Sequence, residues 1–266
     1  MKEISFEESK KIELDILLAV ADFCNKNNLT YFLAYGTLIG AIRHKGFIPW
    51  DDDIDITMPR EDYNKFIETF NHKYLKAIVP GTPMSKHSFV KVIDTRTVKT
   101  EPCLKYPAGA LGIDIDIFPI DGTPSDDAEY DKWYDELMDV YKPFTLSVQS
   151  FSTKYLKHSI KLAILKLKLK KPAFYIEEAK KLHALYPYRA SKYVAAVECP
   201  YNSKKNRVPK QYYVGSIDVE FEGHTFRAPI CYDKLLRSIY GDYMQLPPED
   251  QRVTHHTNKV YWKDKK

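Results

Sequence analysis

Apolar positions fall three or four residues apart at Ile12, Ile16, Val20 and Phe23, which predicts an amphipathic helix over residues 6–26. Ser5 and Glu8 form a capping box at its start, and Asn27-Asn28 ends it. Leu29 to Tyr35 is aromatic and apolar and reads as a strand. A short helix, Thr37 to His44, follows the Gly36-Thr37 turn; Gly46 closes it and Pro49 interrupts what comes next. Asp53 to Met58 reads as a second strand. Pro59 then opens a helix with Tyr63, Phe66, Ile67 and Phe70 on one face. Phe89–Asp94 and Thr97–Glu101 suggest a hairpin. Gly112 to Phe118 alternates cleanly, with Ile113, Ile115 and Ile117 on one side and Asp114 and Asp116 on the other. Pro119 and Asp121-Gly122 are expected to turn the chain into a helix from Ser125 to about Tyr141. Near the end, Asp218–Phe221 and Thr225–Ala228 form a hairpin around Gly223, and Tyr232–Tyr240 a short helix.

One segment changes the texture. Lys154, Lys157, Lys161, Lys166, Lys168, Lys170 and Lys171 fall in a stretch with no acid, while Leu156, Ile160, Ala163, Ile164 and Leu167 share one helical face. The ordinary reading is a helix packed on the domain with solvated lysines. The functional reading is a basic amphipathic helix on an anionic membrane surface. The expected organisation is a catalytic core over 1–145, a basic helical segment over 146–208, and a C-terminal extension over 209–266 that completes the catalytic domain.

Composition narrows the classes. At 266 residues and 44% apolar content the chain is large enough for a substantial core. The net charge of +4 comes with no nucleic-acid-binding signature, so nucleic acid is not an expected partner. Cys24, Cys103, Cys199 and Cys231 are far apart and form no CxxC pair, which argues against a disulfide framework or zinc finger. The N-terminus has no apolar signal core, and no apolar run nears the ~20 residues needed to span a bilayer. The expected location is the cytoplasm, with peripheral contact at the inner membrane face. The 20 tyrosines are read chiefly as packing, though their faces also suit a cationic headgroup.

The chemistry concentrates in carboxylates. Asp53 and Asp55, one residue apart on a strand, point the same way, and Asp114 and Asp116 repeat the arrangement. Such pairs make hard-oxygen sites for Mg²⁺, with Mn²⁺ as a substitute, and suit a cation that bridges to phosphate. Like charges crowded on one sheet face cost stability unless a cation or base relieves them. Gly36 and Thr37 open a helix whose free N–H groups favour an anion. Arg43, His44 and Lys45 either neutralise a diphosphate or complement a helix C-terminus. Trp50 is read as loop packing, with one wall of an ammonium cage as the functional alternative. Asp51 is read as solvating the start of the strand, and Asp52 extends the acidic run. Adjacent histidines diverge on a regular element, so His255-His256 is a poor chelating pair; a role near phosphate, beside Arg252, requires the tail to fold back.

The run from Gly36-Thr37-Leu38-Ile39-Gly40 through Arg43-His44-Lys45-Gly46-Phe47-Ile48-Pro49-Trp50-Asp51-Asp52-Asp53-Ile54-Asp55, on to Met58-Pro59-Arg60-Glu61-Asp62-Tyr63, closely resembles the LicD family signature. So do Ile115-Asp116-Ile117-Phe118-Pro119-Ile120-Asp121-Gly122 and, later, Phe221-Glu222-Gly223, Tyr240-Gly241-Asp242-Tyr243 and Pro247-Pro248. The resemblance implies an α/β (α+β) nucleotidyltransferase-like fold, a mixed sheet flanked by helices, with a helical insertion and a C-terminal α/β extension. It implies transfer of phosphocholine from CDP-choline to a sugar hydroxyl of a teichoic-acid or lipopolysaccharide precursor, with CMP released and a lipid-linked glycan as acceptor. Carried onto this sequence, the catalytic and metal-binding residues are Asp53, Asp55 and Asp116, with Asp114 as the alternative third ligand. The substrate-binding set expected is Gly36, Thr37, Arg43, His44, Lys45, Trp50, Asp52, Asp121, Arg252 and His255.

Three alternatives share these residues. One is transfer of a nucleoside monophosphate with pyrophosphate released, and another is use of a different CDP-linked alcohol. The third is a non-catalytic glycan-binding protein, against which the full set of carboxylates argues.

Overall fold

The computed structural model describes residues 1–99, 111–150, 162–198, 204–253 and 259–264. Helix α1, Phe6–Lys26, starts where expected, with the Glu8 N–H donating to Ser5 Oγ. Its buried residues include Ile12, Ile16, Leu17 and Val20, the stripe that the periodicity marks. The central sheet runs β2-β3-β7-β5-β4, where β2 is Phe32–Leu33, β3 Asp55–Pro59, β4 Leu75–Ile78, β5 Val90–Asp94 and β7 Asp114–Thr123. Strand β8, Tyr193–Ala195, lengthens the sheet on the far half of β7, and β9, Val208–Pro209, pairs with β8. Mixed α and β elements around one sheet thus meet the expected fold class.

Strands β3 and β7 are parallel, with Asp55 opposite Asp116 and Pro59 opposite Ile120. Because side chains alternate, the sheet has two chemically distinct faces. One carries Ile54, Ile56, Met58, Ile113, Ile115 and Ile117, which pack with Ile12 and Ile16 of α1 and with Tyr63 and Phe66 of α3, Arg60–Thr69. The other face carries Asp55, Asp114 and Asp116 at the start of the strands. It becomes apolar further along, where Phe32 and Ile120 pack with Leu235 of the C-terminal helix Tyr232–Tyr240.

Three local expectations are corrected. Thr97–Lys99, strand β6, does not form a hairpin with β5; it pairs with β12, Val260–Trp262, which also pairs with β1, Lys2–Glu3. The chain's end therefore fills the partner position assigned to a neighbour. Pro119 does not turn the chain, and β7 continues through it to Thr123. The ladder with β5 stops at Ile117 and that with β8 begins at Asp121, so Pro119 lies where neither antiparallel partner needs its missing N–H. Strand β3 begins at Asp55 rather than Asp53, because the Asp55–Asp116 pair is where its ladder with β7 starts.

Helix α4, Asp127–Val148, outruns its expected end and packs Tyr130, Trp133, Leu137 and Tyr141 with Ala179 of helix α5, Pro172–Ala184. The first part of the lysine-rich stretch lies outside the described residues. Within residues 162–171, Leu162 is buried, whereas Ile164 is 59% and Leu167 87% exposed. The apolar face identified by periodicity is, in its described part, turned to solvent. Lys166 points inward instead and donates to the carbonyls of Ser147 and Gln149.

Candidate active site

The site is built where α2 meets the beginnings of β3 and β7. Helix α2, Tyr35–Arg43, has no side-chain cap from its N-cap residue Ala34. Tyr35 holds a positive φ of 45° at this turn, a strained conformation for a tyrosine, and its ring stands edge-on to Phe118. Thr37 turns its hydroxyl inward, where Oγ1 accepts the Asp55 N–H at 2.8 Å, tying the helix start to the acidic strand. Gly36 is required for a different reason: a Cβ there would lie 2.5 Å from Asp51 Oδ2.

That contact corrects the reading of Asp51. Its carboxyl lies over the α2 turn and shares a hydrogen bond with Asp53, and burial, reinforced by the Asp53 charge, pushes it up to about 7. Asp55 is raised well above the usual carboxylate range by burial and by Asp53 and Asp116. Asp116 is pushed up to about 6, burial outweighing the relief from Lys91. Asp51, Asp55 and Asp116 are thus all raised by partial burial and by neighbouring acids.

Asp114 behaves differently. Lys91 Nζ donates to Asp114 Oδ2 at 2.6 Å and to Asp116 Oδ1 at 2.5 Å, while Lys99 Nζ reaches Asp114 Oδ1 at 2.8 Å. Burial alone would raise Asp114, but the two ammoniums hold its carboxyl far below the usual range. Both Asp114 oxygens are already occupied.

Arg43, His44, Trp50 and Arg252 form a second group at the end of α2. Arg43 Nη1 donates to the carbonyls of Tyr243 and Gln245, and its Nε to His44 Nε2. His44 stands edge-on to Trp50, and the Arg252 guanidinium lies 5.7 Å from the Trp50 ring centroid. The C-terminal segment therefore does fold back along the site. Lys45 is exposed, its carbonyl accepting the Glu222 N–H. Asp52 is half-buried beside Asp51, which accepts its backbone N–H. His255 lies outside the described residues, as does His256.

Asp121 is not brought to this group. It is an odd number of residues from Asp116, hence on the opposite face, and about 17 Å along the strand at ~3.3 Å per residue. There Arg60 makes a two-pronged contact with it, Nε to Oδ1 at 2.6 Å and Nη2 to Oδ2 at 2.5 Å, and also donates to Glu198 Oε1 at 2.7 Å. Tyr141 and His183 complete the cluster, with Tyr141 Oη 3.0 Å from both Glu198 Oε2 and His183 Nε2. It lines a cavity of about 550 Å³ between α3 and α5.

Among the described residues, Asp121, His183 and Glu198 are the one group whose potential metal-ligand atoms all lie within 4.8 Å of one another, so this triad has the composition and closeness to hold a metal ion. The Arg60 charge already stands among them. Asp53, Asp55 and Asp116 do not converge that tightly. They present an all-oxygen donor set, and Lys91 relieves only part of the burial and crowding that raise Asp55 and Asp116.

Sequence reasoning missed Lys91, which was legible as a lone charge inside the apolar run Val90–Ile93. Tyr240 entered only as part of the family pattern. The helix Tyr232–Tyr240 brings it, still 45% exposed, near the aspartates, where partial desolvation and the charges of Asp55, Asp51 and Asp53 raise its phenol.

A mixed α/β protein with an acidic cluster at the head of two parallel strands is the class these features define. The family described as LicD/FKTN/FKRP, nucleotidyltransferase domain, matches residues 28–173. The chain belongs to the LicD family: over 98% of its length it is 33% identical to the lipopolysaccharide cholinephosphotransferase LicD of Haemophilus influenzae, of which it covers 99%. Two uncharacterised Rickettsia proteins resemble shorter stretches. That of R. typhi is 40% identical over 63 residues, covering 23% of this chain and 20% of its own. That of R. prowazekii is 51% identical over 41 residues, 15% of each.

Proposed function

We propose that this protein transfers phosphocholine from CDP-choline to a sugar hydroxyl of a lipopolysaccharide or teichoic-acid precursor, releasing CMP. The observation that carries the reading is the half-buried group of Asp51, Asp53, Asp55 and Asp116, in which crowding and desolvation raise Asp51, Asp55 and Asp116. Likeness along the full chain to a cholinephosphotransferase supplies the transferred group. Asp53, Asp55 and Asp116 would hold a divalent cation, Mg²⁺ or Mn²⁺, which neutralises diphosphate charge when bound.

The protein's own residues do the positioning. The uncapped start of α2 at Gly36-Thr37 offers N–H groups to a phosphate oxygen. Asp116 orients the acceptor hydroxyl and accepts its proton as the oxygen attacks the choline-bearing phosphorus and CMP leaves. Trp50, with the Arg252 guanidinium over its ring, walls the donor side. Catalysis then rests on orientation and charge placement.

The acceptor partner of this reading is a lipid-linked glycan met at the cytoplasmic membrane surface. Among the described residues no helix is long and apolar enough to cross a membrane. Exposed Ile164 and Leu167 beside Lys168, Lys170 and Lys171 support peripheral contact with anionic lipid. The division into a core, a basic segment and a completing extension is part of the same proposal.

The family's description as a nucleotidyltransferase domain favours nucleotidyl transfer as the second reading. Incubation with CDP-choline, Mg²⁺ and a glycan acceptor separates the two. Acceptor-dependent CMP release, with labelled choline on the glycan, is expected. Pyrophosphate release from a nucleoside triphosphate, with no choline transfer, replaces the first reading with the second.

A further inference from the structure

The Lys91 ammonium is 7% exposed and sits inside the acidic group on the face where Asp55, Asp114 and Asp116 project. Its stem rises from β5, whose register sets Lys91 opposite Asp116. Its ammonium lies 5.6 Å from the Phe89 ring centroid, and Lys99 anchors Asp114 from the far side. Asp55 and His87 also lie in its field. Lys99, Asp114, Lys91 and Asp116 therefore form one chain of charge-assisted hydrogen bonds, running from β6 through β7 and β5 back to β7. The chain ends on the one proposed metal-binding carboxylate that has a cation of its own.

We propose that Lys91 is a positioning residue that fixes the Asp116 carboxylate for the transfer step and, as a built-in counter-charge, weakens the affinity of the acidic group for a divalent cation. The proposal rests on the reading of Asp116 as a site carboxylate. Two opposite effects follow from one side chain. Without its ammonium the group is more negative and attracts a dication more strongly. Without its hydrogen bond, Asp116 can adopt rotamers unsuited to orienting a hydroxyl, and small misplacements at a reacting centre are costly. A residue that merely supported the fold would lower both affinity and turnover together.

The test is Mn²⁺ titration by calorimetry of the full chain, beside donor turnover, for Lys91→Met and Lys91→Arg. Lys91→Met is expected to bind Mn²⁺ about fivefold tighter or more, from the lost positive charge. Its kcat should fall roughly 30-fold or more, with donor KM moving less than about threefold, the split expected of lost positioning. Lys91→Arg, which keeps charge and donors, should stay near the parent in Mn²⁺ affinity. Mn²⁺ binding to Lys91→Met no tighter than to the parent, or kcat within about threefold of it, overturns the proposal. Should Lys91→Met fail to fold, the double variant Lys91→Met with Asp114→Asn removes both members of the buried pair. Loss of turnover there supports the positioning role, and parent-like turnover overturns it. If the unsubstituted protein releases no CMP from CDP-choline, the proposed function fails, while the Mn²⁺ titration still reports on Lys91.

Discussion

Two groups of buried ionic side chains occupy opposite faces and opposite ends of strand β7, and they are balanced in opposite ways. At the head of the strand, among the described residues, Lys91 and Lys99 hydrogen-bond the group of Asp51, Asp53, Asp55, Asp114 and Asp116, and two of their three contacts fall on Asp114. At the tail, Arg60 bridges Asp121 and Glu198. Burial raises Glu198 to about 8, which keeps it protonated at neutral pH, and burial lowers His183 to about 4, which keeps it uncharged. The tail group thus carries one positive and one negative charge and is neutral by itself. The head group relieves its charge by holding protons, since Asp51, Asp55 and Asp116 are all raised. Ligand-type atoms converge more tightly at the tail. One group thus settles its charge with a buried arginine, the other with protons that a cation can displace.

The sharpest way to break this contrast is to neutralise one carboxylate at the head. Asp55→Asn should lower phosphocholine transfer by about a thousandfold, the scale of removing one preorganised electrostatic contributor. Its thermal stability in metal-free buffer should be unchanged or higher, since a crowded charge is removed. Turnover assays and calorimetry on the same preparation check both halves; a variant that retains activity removes Asp55 from the site.

Removing the charge at the tail should do the reverse. Arg60→Met leaves Asp121, 2% exposed, without its counter-ion. Breaking a buried pair in this way costs about 3–5 kcal/mol, and at roughly 2–4 °C per kcal/mol for a chain of this size the melting temperature falls by several degrees or more. Activity per folded molecule should hold. A loss of kcat in Arg60→Met that outruns the unfolded fraction would join the two groups into one site.

The head group was the more legible of the two. Alternation on β7 placed Asp114 and Asp116 on one face, and both do reach Lys91. Capping and periodicity set α1 and the helix Tyr232–Tyr240 to their observed limits. What failed depends on distant parts of the chain. Partner choice for β6 is decided by β12, more than 150 residues away, and no local pattern encodes it. The tail group is assembled from α3, β7, α4, α5 and the residue Glu198, so no local pattern marks the company that Asp121 keeps. Asp51 was misjudged because an exposed acid and a buried one look alike in sequence. Only the Gly36 approach, with no Cβ in the way, brings it inward.

The smallest expected effect measures the missing cation directly. Asp51 and Asp116 are raised to about 7 and about 6, above the ~4 of an unfolded carboxyl. A group raised in the fold favours its protonated form there. Its contribution to stability is therefore complete below about pH 4 and is lost as pH rises through 6 to 7. Glu198 shares this sign, and His183, lowered to about 4, loses its contribution as pH falls from about 6.5. A pH scan alone mixes the two groups, but Mg²⁺ separates them. At a hundred times its Kd a dication adds about 2.7 kcal/mol, or roughly 5–10 °C, at pH 8, above the values to which Asp51 and Asp116 are raised. At pH 5 protons hold the same oxygens, and the increment should shrink to a fraction of that. Arg60→Met should keep the pH-dependent increment and Asp55→Asn should lose most of it. An increment of equal size at both pH values, or one that survives Asp55→Asn but not Arg60→Met, would place the cation at the tail of β7 instead.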